Sequence, residues 1–411
     1  MQKAITTAAA SFALLLAAAS AASAAGTVPV STGEGIVVIP PSSVRQAGDA
    51  GVRAHTHVRA FVRSEMLDPK VRGAPIQGVF FETPASVACI YGLVAQAAGC
   101  NPDMVSTNAS GGSKAIAIVD AYNAPNAASD LAAFSQEFGL PGANFQVVFA
   151  SGKQPTYDAG WELEMSLDIE WAHAMAPSAK IYLVEAASSS LNDLMVAEDK
   201  ASQLVAAAGG GEVTNSWGSS EFPQETTLDN HFATNNVVYF ASSGDSPGVE
   251  WPSASAKVVA VGGTSNARNP LTGAFESEVT WDEAGGGISA FVARPSYQNG
   301  IAGIVGNQRG VPDIAAVANP ITGVWVYDRN AGGWTIVGGT SVASPVMAGI
   351  VNNAGKFAAS SAAELALIYA SAGSGTSDVK AGVCGPYSGF LANTGWDFCS
   401  GNGAPLGKTG K

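Results

Sequence analysis

Four short apolar runs set the frame for what this chain can become. Ala115–Asp120 (AIAIVD), Lys180–Glu185 (KIYLVE), Val237–Ala241 (VVYFA) and Val258–Val261 (VVAV) have strand length and no polar alternation. Runs of this kind suit strands covered on both faces, as in a parallel sheet. Helix-length segments accompany them at Ser129–Phe138, Trp161–Met175, Leu191–Ala208 and Thr226–Asn235. The alternation predicts an α/β fold: a doubly wound, mostly parallel central sheet flanked by helices, with right-handed crossovers. No internal repeat is visible, and Gly285–Gly287 and the Gly/Ser/Thr-rich tail read as loops.

Charge narrows the partners. Of 411 residues, 33 are acidic and 20 basic, a net charge of -13, and no basic run reaches five residues. Nothing basic is left over to displace phosphate counterions, so neither nucleic acid nor an anionic membrane is an expected partner. Only 13% of residues are charged, against ~25% in ordinary soluble proteins. Lys3, the apolar stretch from Ala4 to about Ala18 and Ala22-Ser23-Ala24 together predict a signal peptide over residues 1–24. A secreted monomer is expected, extracellular or, in a Gram-negative bacterium, periplasmic. Export permits disulfides. Cys89 with Cys100 and Cys384 with Cys399 form two local couples, either bonded or buried as thiols, and neither has the neighbours of a zinc site. Residues 25–80 hold Arg45, Arg53, Arg59, Arg63, Arg72, His55 and His57, the most basic part of an acidic chain, and read as a short prosegment or N-terminal extension.

Two segments could carry chemistry. Gly338-Gly339-Thr340-Ser341-Val342-Ala343-Ser344-Pro345 precedes an Ala-rich helical segment. Glycines allow tight backbone there, and free N–H groups at a helix start stabilise a developing oxyanion, so Ser341 is either a nucleophile or an ordinary helix cap. Glu164 and Asp168, spaced i, i+4, would share one helix face with Cβ atoms roughly 6 Å apart, an arrangement that disfavours a helix unless the pair shares a proton or serves a site.

GTSVASP resembles the nucleophile motif of the subtilisin clan of serine peptidases, and the wider pattern resembles its sedolisin, or serine-carboxyl peptidase, branch. Glu164 to Ala186 resembles that branch's Glu/Asp helix and following strand. Asn215-Ser216-Trp217-Gly218 resembles its substrate cleft, and Ala241-Ser242-Ser243-Gly244-Asp245-Ser246 its oxyanion segment. Trp281, Gly285–Gly287, Ser289, Phe291, Pro295, Tyr297, Gln298 and Gly310–Ile314 extend the likeness. The resemblance implies a peptidase domain over residues 81–411 acting on protein or peptide substrates. In it Ser341 attacks, Glu164 moves the proton, Asp168 supports Glu164, and Asp245 donates to the oxyanion. A carboxyl group donates only when protonated, so activity is expected in acid and should fade toward neutral pH. Asp120 extends the network or caps a turn; Glu162 and Glu170 are expected on a solvated helix face or rim, and His173 in packing. A His-dependent subtilisin-like reading would use Asp120, His173 and Ser341; a non-catalytic binding protein on the same fold is the third reading. Asp378, Val379, Asn393, Gly395 and Asp397 resemble the family's calcium site, one structural Ca²⁺ held by two carboxylates and three carbonyls. The scarcity of basic groups reads as an adaptation to acid, with stability changing little between pH 3 and 6.

Overall fold

The computed structural model describes residues 35–63, 78–385 and 389–411. The signal-peptide reading, Arg72 and most of the boundary between prosegment and enzyme fall outside the described residues.

The N-terminal segment contributes strands β1 (Gly35–Val38), β2 (His55–Thr56) and β3 (Arg59–Arg63), and helix α1 (Pro84–Ile90) follows. The body then alternates: β4 (Ala115–Ala121), α2 (Ala127–Glu137), β5 (Asn144–Phe149), α3 (Ala159–Met175), β6 (Lys180–Ala186), α4 (Leu191–Ala207), β7 (Gly211–Asn215), β8 (Trp217–Ser220) and β9 (Val237–Ser242). Next come β10 (Glu250–Trp251), β11 (Val259–Arg268), β12 (Phe275–Thr280), β13 (Gly287–Ala293), α5 (Ala302–Val305), β14 (Gln308–Val311), β15 (Ile314–Val317), β16 (Val324–Asp328) and β17 (Gly333–Gly338). Helices α6 (Thr340–Ala354) and α7 (Ser361–Ala370) follow, and the short antiparallel pair β18 (Thr376–Ser377) and β19 (Ala404–Pro405) closes the series.

The central sheet runs β12-β11-β9-β7-β4-β6-β5, with β15 also pairing β11. Every pairing in it is parallel except that of the edge strand β12. This is the expected doubly wound α/β sheet. All seven residues of β4 and all six of β9 are buried, which is why those stretches show no polar alternation. Strands β5, β7 and β15 carry weaker signals. β7 reads Gly-Glu-Val-Thr-Asn, and its Glu212 is buried against the Nδ2 of Asn352 at 2.7 Å. Thr226–Asn235, expected as an α-helix, is a 3-10 helix over Glu225–Phe232.

Helix α3 starts where Asp158 accepts from the amides of Gly160 and Trp161 at 3.0 and 3.1 Å. It packs on α2, α6, β4 and β16, so residues Trp161–Met175 are all buried. Glu162 and Glu170 are therefore not on a solvated face. Glu162 accepts from Asn330 Nδ2, and Glu170 accepts from the Tyr327 amide at 3.0 Å. The apolar surround on every side removed the one-sided pattern that marks a solvated face. Both expected disulfides, Cys89–Cys100 and Cys384–Cys399, are formed.

Two smaller sheets tie the N-terminal segment to the body. β3 is interior to a sheet of order β1-β3-β17-β16, and β2 edges a sheet of order β10-β8-β2.

Candidate active site

Parallel strands deliver their C-terminal ends to one edge of a sheet, where open α/β folds place their sites. Asp120 is the last but one residue of β4, and Asn215 and Ser242 end β7 and β9, with Ser216 and Ser243 just beyond. The helix ends of α3 and α6 complete the ring.

Gly339 makes the turn from β17 into α6 with φ of 103°, a conformation that a side chain would strain. A Cβ there would also strike the His57 carbonyl and lie 2.7 Å from Asp245 Oδ2. Ser341 is thus the second residue of α6, where amides lack intrahelical partners. Pro345, four residues on, has no N–H for the Ser341 carbonyl. The hydroxyl of Ser216 reaches that carbonyl instead, at 3.2 Å.

Ser216 Oγ also lies 2.8 Å from Asp168 Oδ1. One hydroxyl proton cannot serve both acceptors. A protonated Asp168 would donate to Ser216 Oγ and free that hydroxyl for the Ser341 carbonyl. Burial favours that protonated form: Asp168 is fully buried, and desolvation holds its pKa well above the carboxylate range. Glu164 is raised for the same reason, with Asp168, Asp120 and Asp245 adding repulsion and Ser341 partly offsetting it. Asp120 is raised by burial and then by Asp168 and Glu185. Neither oxygen of Glu164 or Asp120 has a well-formed hydrogen bond. Three buried carboxyls that repel one another titrate as a group.

The Ser341 hydroxyl donates to the Ser216 carbonyl at 3.3 Å. Asp245 stands on the other side, its Oδ1 accepting from the Thr340 amide at 2.8 Å and the Thr340 hydroxyl at 2.9 Å. Glu164, Asp168, Asp120, Asp245 and Ser341 are therefore brought together. His173 is not among them. It sits nine residues beyond Glu164, about 13.5 Å along the same helix axis at 1.5 Å per residue, with its Nε2 2.9 Å from the Pro141 carbonyl. His231 pairs with Asp199 at 2.8 Å, away from the site.

The N-terminal segment runs through this site. β2 pairs antiparallel with Trp217 and Gly218 of β8. The His57 amide donates to the Ser216 carbonyl at 3.3 Å, and the His57 carbonyl accepts from the Ser341 amide at 3.4 Å. Arg59 ion-pairs with Asp245 at 3.3 Å, donates to its carbonyl, and lies 5.2 Å over the Trp281 ring. Sequence reading marked the segment as basic but assigned His57 and Arg59 no role; the only signal was their charge in an acidic chain.

Near the C-terminus Asp378 Oδ2 accepts from the Gly395 amide at 3.0 Å and Asp397 Oδ2 from the Asn393 amide at 2.9 Å. Asp397 Oδ1 caps the turn through the Cys399 and Ser400 amides. Asp378 Oδ1 is buried without a partner. The carbonyls of Val379, Asn393 and Gly395 accept no hydrogen bond from the described residues. Free carbonyls beside an orphaned carboxylate oxygen suit a hard cation.

Fold and site together define an α/β protein of the subtilisin-like architecture whose helix-start serine faces buried carboxyls in place of a histidine. No protein-family model matches the chain. It is a homologue of sedolisin from Pseudomonas sp. (strain 101), 29% identical over 347 residues that cover 70% of this chain and 58% of the relative. It is likewise a homologue of kumamolisin from Bacillus sp. (strain MN-32), 30% identical over 316 residues that cover 68% of this chain and 56% of the relative. The chain thus spans somewhat over half the length of these curated relatives. Pseudomonas sedolisin, a serine-carboxyl proteinase solved with pseudo-iodotyrostatin, superposes with a TM-score of 0.66 at 25% identity, covering 79% of this chain and 95% of that one. Sphericase shares the fold, with a TM-score of 0.53 at 18% identity over 79% of this chain and 99% of that one.

Proposed function

We propose that the chain is a secreted serine-carboxyl endopeptidase that hydrolyses peptide bonds of proteins in acid. The observation that carries this reading is Ser341 at the start of α6 beside the buried cluster of Glu164, Asp168 and Asp120. In this mechanism the Ser341 hydroxyl turns from the Ser216 carbonyl toward Glu164. Glu164 takes its proton as Oγ attacks the scissile carbonyl, and later returns it to the leaving amine. Asp168 keeps Glu164 oriented through a shared proton. The oxyanion is met by the Ser341 amide and by a protonated Asp245, whose Oδ2 is free to donate once Arg59 has gone.

Residues 35–63 act as a prosegment in this reading. Supporting it, β2 lies along β8 as an extended peptide, the His57 carbonyl faces the Ser341 amide, and Arg59 pairs with Asp245 Oδ2. Asp378 and Asp397, with the carbonyls of Val379, Asn393 and Gly395, hold one structural Ca²⁺ that fixes the C-terminal loops. The Cys384–Cys399 disulfide closes a loop over the same segment.

The test is cleavage of a denatured protein between pH 3 and 8, with Ser341→Ala as control. Activity confined to acid and lost with Ser341 supports the proposal. Activity that is flat across this range, or that survives Ser341→Ala, contradicts it.

A further inference from the structure

The strand that crosses the site brings a second constellation with it. His55 and His57 flank Thr56 in β2, and Glu250 opens β10; the shared neighbour β8 holds the two strands in one sheet. All three side chains are buried. His57 Nε2 lies 2.8 Å and His55 Nε2 3.3 Å from the same oxygen, Glu250 Oε2, and the three donor atoms lie within 4.8 Å of one another.

The geometry points to a transition-metal site of the zinc class, ligated by His55 Nε2, His57 Nε2 and Glu250 Oε2. Ligands about 2.0 to 2.1 Å from a tetrahedral ion stand about 3.3 Å from one another; the His55–Glu250 spacing equals this, the His57–Glu250 spacing of 2.8 Å is shorter, and the two imidazole nitrogens lie within 4.8 Å of each other. Two imidazoles and one carboxylate form a donor set of the kind that binds zinc with a fourth position open.

The surroundings of His57 accommodate the ligating tautomer. Ser242 Oγ donates toward the Asn215 carbonyl at 3.4 Å and lies 2.6 Å from His57 Nδ1. In the tautomer whose Nδ1–H donates to that oxygen, the Nε2 lone pair is left for a metal. Such outer hydrogen bonds orient metal-bound imidazoles. The other carboxylate oxygen, Glu250 Oε1, is held by Arg45, leaving Oε2 as a single-atom ligand. Space is kept by a glycine: a Cβ on Gly218 would strike Glu250 Oε2 and stand 2.8 and 3.0 Å from His57 Cε1 and Nε2.

An ion here joins β2 to β10 across β8 and so fastens the N-terminal segment into the cleft. The competing description is two imidazoles hydrogen-bonded to one carboxylate, which binds no metal. The site rests on the placement of these three residues, and its test does not read peptidase activity, so it stands or falls apart from the proposed function.

Full chain at pH 7.5, stripped with chelator and then restored with Ca²⁺, is titrated with Co²⁺ and Zn²⁺. One equivalent of Co²⁺ should bind with a visible d–d spectrum and paramagnetically shifted N–H signals from two imidazoles, Zn²⁺ should displace it, and Tm should rise. His57→Ala and Glu250→Gln should each weaken binding roughly 10- to 100-fold or more, as expected for loss of ligands at least as important as their outer-shell partners; His231→Ala should leave it unchanged. Absence of the spectrum and of any Tm shift in the unmutated chain overturns the site, whatever the variants do. Undiminished binding by a folded His57→Ala chain overturns it equally.

Discussion

Arg59 Nε stands 3.3 Å from Asp245 Oδ2, with both side chains about one-tenth exposed. Glu283 holds the same guanidinium at 2.5 Å. A guanidinium carries only donors, so Arg59 faces Asp245 Oδ2 with an N–H and occupies the oxygen that would have to turn toward an oxyanion. The segment that fills the cleft thus also holds the proposed donor in its inactive state. Arg59→Ala should shorten the lag before full chain becomes active in acid. Each loss of about 1.4 kcal/mol from the clamp raises the uncovered population tenfold. Progress curves on a peptide substrate at pH 4 to 6 measure this; an unchanged lag means that Arg59 does not hold the latent state.

Glu164→Gln separates catalysis from stability. The substitution keeps size and removes the base, so kcat should fall by about 10²- to 10⁴-fold. Burial and neighbouring carboxyls push the Glu164 pKa up, so its ionised form is a burden on the folded state above the usual carboxylate range. The amide carries no such burden. Tm should therefore rise relative to the parent at pH 7 and match it at pH 3. A lower Tm at pH 7 would mean that the charge is needed for folding.

Stability should fall as pH rises. Desolvation raises Asp328 and Glu364 to about 7 each, and both are almost wholly buried. Burial likewise holds Glu170, Glu198 and Glu212 well up. Unfolded, such groups titrate near ~4.3. Between that value and the folded one the native state binds more protons, so this stabilisation is complete below about pH 4 and is lost through about pH 7. Asp328 and Glu364 each account for on the order of 3 kcal/mol of this difference. Urea unfolding of Ser341→Ala protein at pH 4, 6 and 8 should give falling midpoints. These buried carboxyls overturn the expectation of little change between pH 3 and 6, since stability should already decline before pH 6. A midpoint that climbs with pH contradicts it.

Local patterns made β4, β6, β9 and β11 legible, because strands covered on both faces must be apolar throughout. Ser341 and the Glu164/Asp168 pair were legible from glycines before a helix and from an i, i+4 spacing. β7 was hidden by Glu212 and Thr214, polar side chains whose burial depends on Asn352 and Ser344 more than a hundred residues away. Glu162 and Glu170 were misplaced because α3 is enclosed on all sides. Nothing local told that Arg59 meets Asp245, 186 positions on, or that His57 meets Ser341; such pairings belong to the folded topology alone.

Calcium removal should loosen the C-terminal loops. Asp378 Oδ1 is buried with no protein partner, a costly state unless a cation meets it. Its other oxygen takes the Gly395 amide, while Lys380 lies 3.7 Å away on an exposed side chain, where an ion pair contributes little. Asp397 is fixed by the amides of Asn393, Cys399 and Ser400, so the turn is preformed and the ion adds to it. EDTA should lower Tm, excess Ca²⁺ should restore it, and at a free concentration 100-fold above Kd the recovered stability is about 2.7 kcal/mol. Asp378→Asn should abolish the recovery on adding Ca²⁺ while leaving both disulfides formed. A Tm indifferent to EDTA, in protein first shown to contain calcium, would mean that the ion is bound elsewhere.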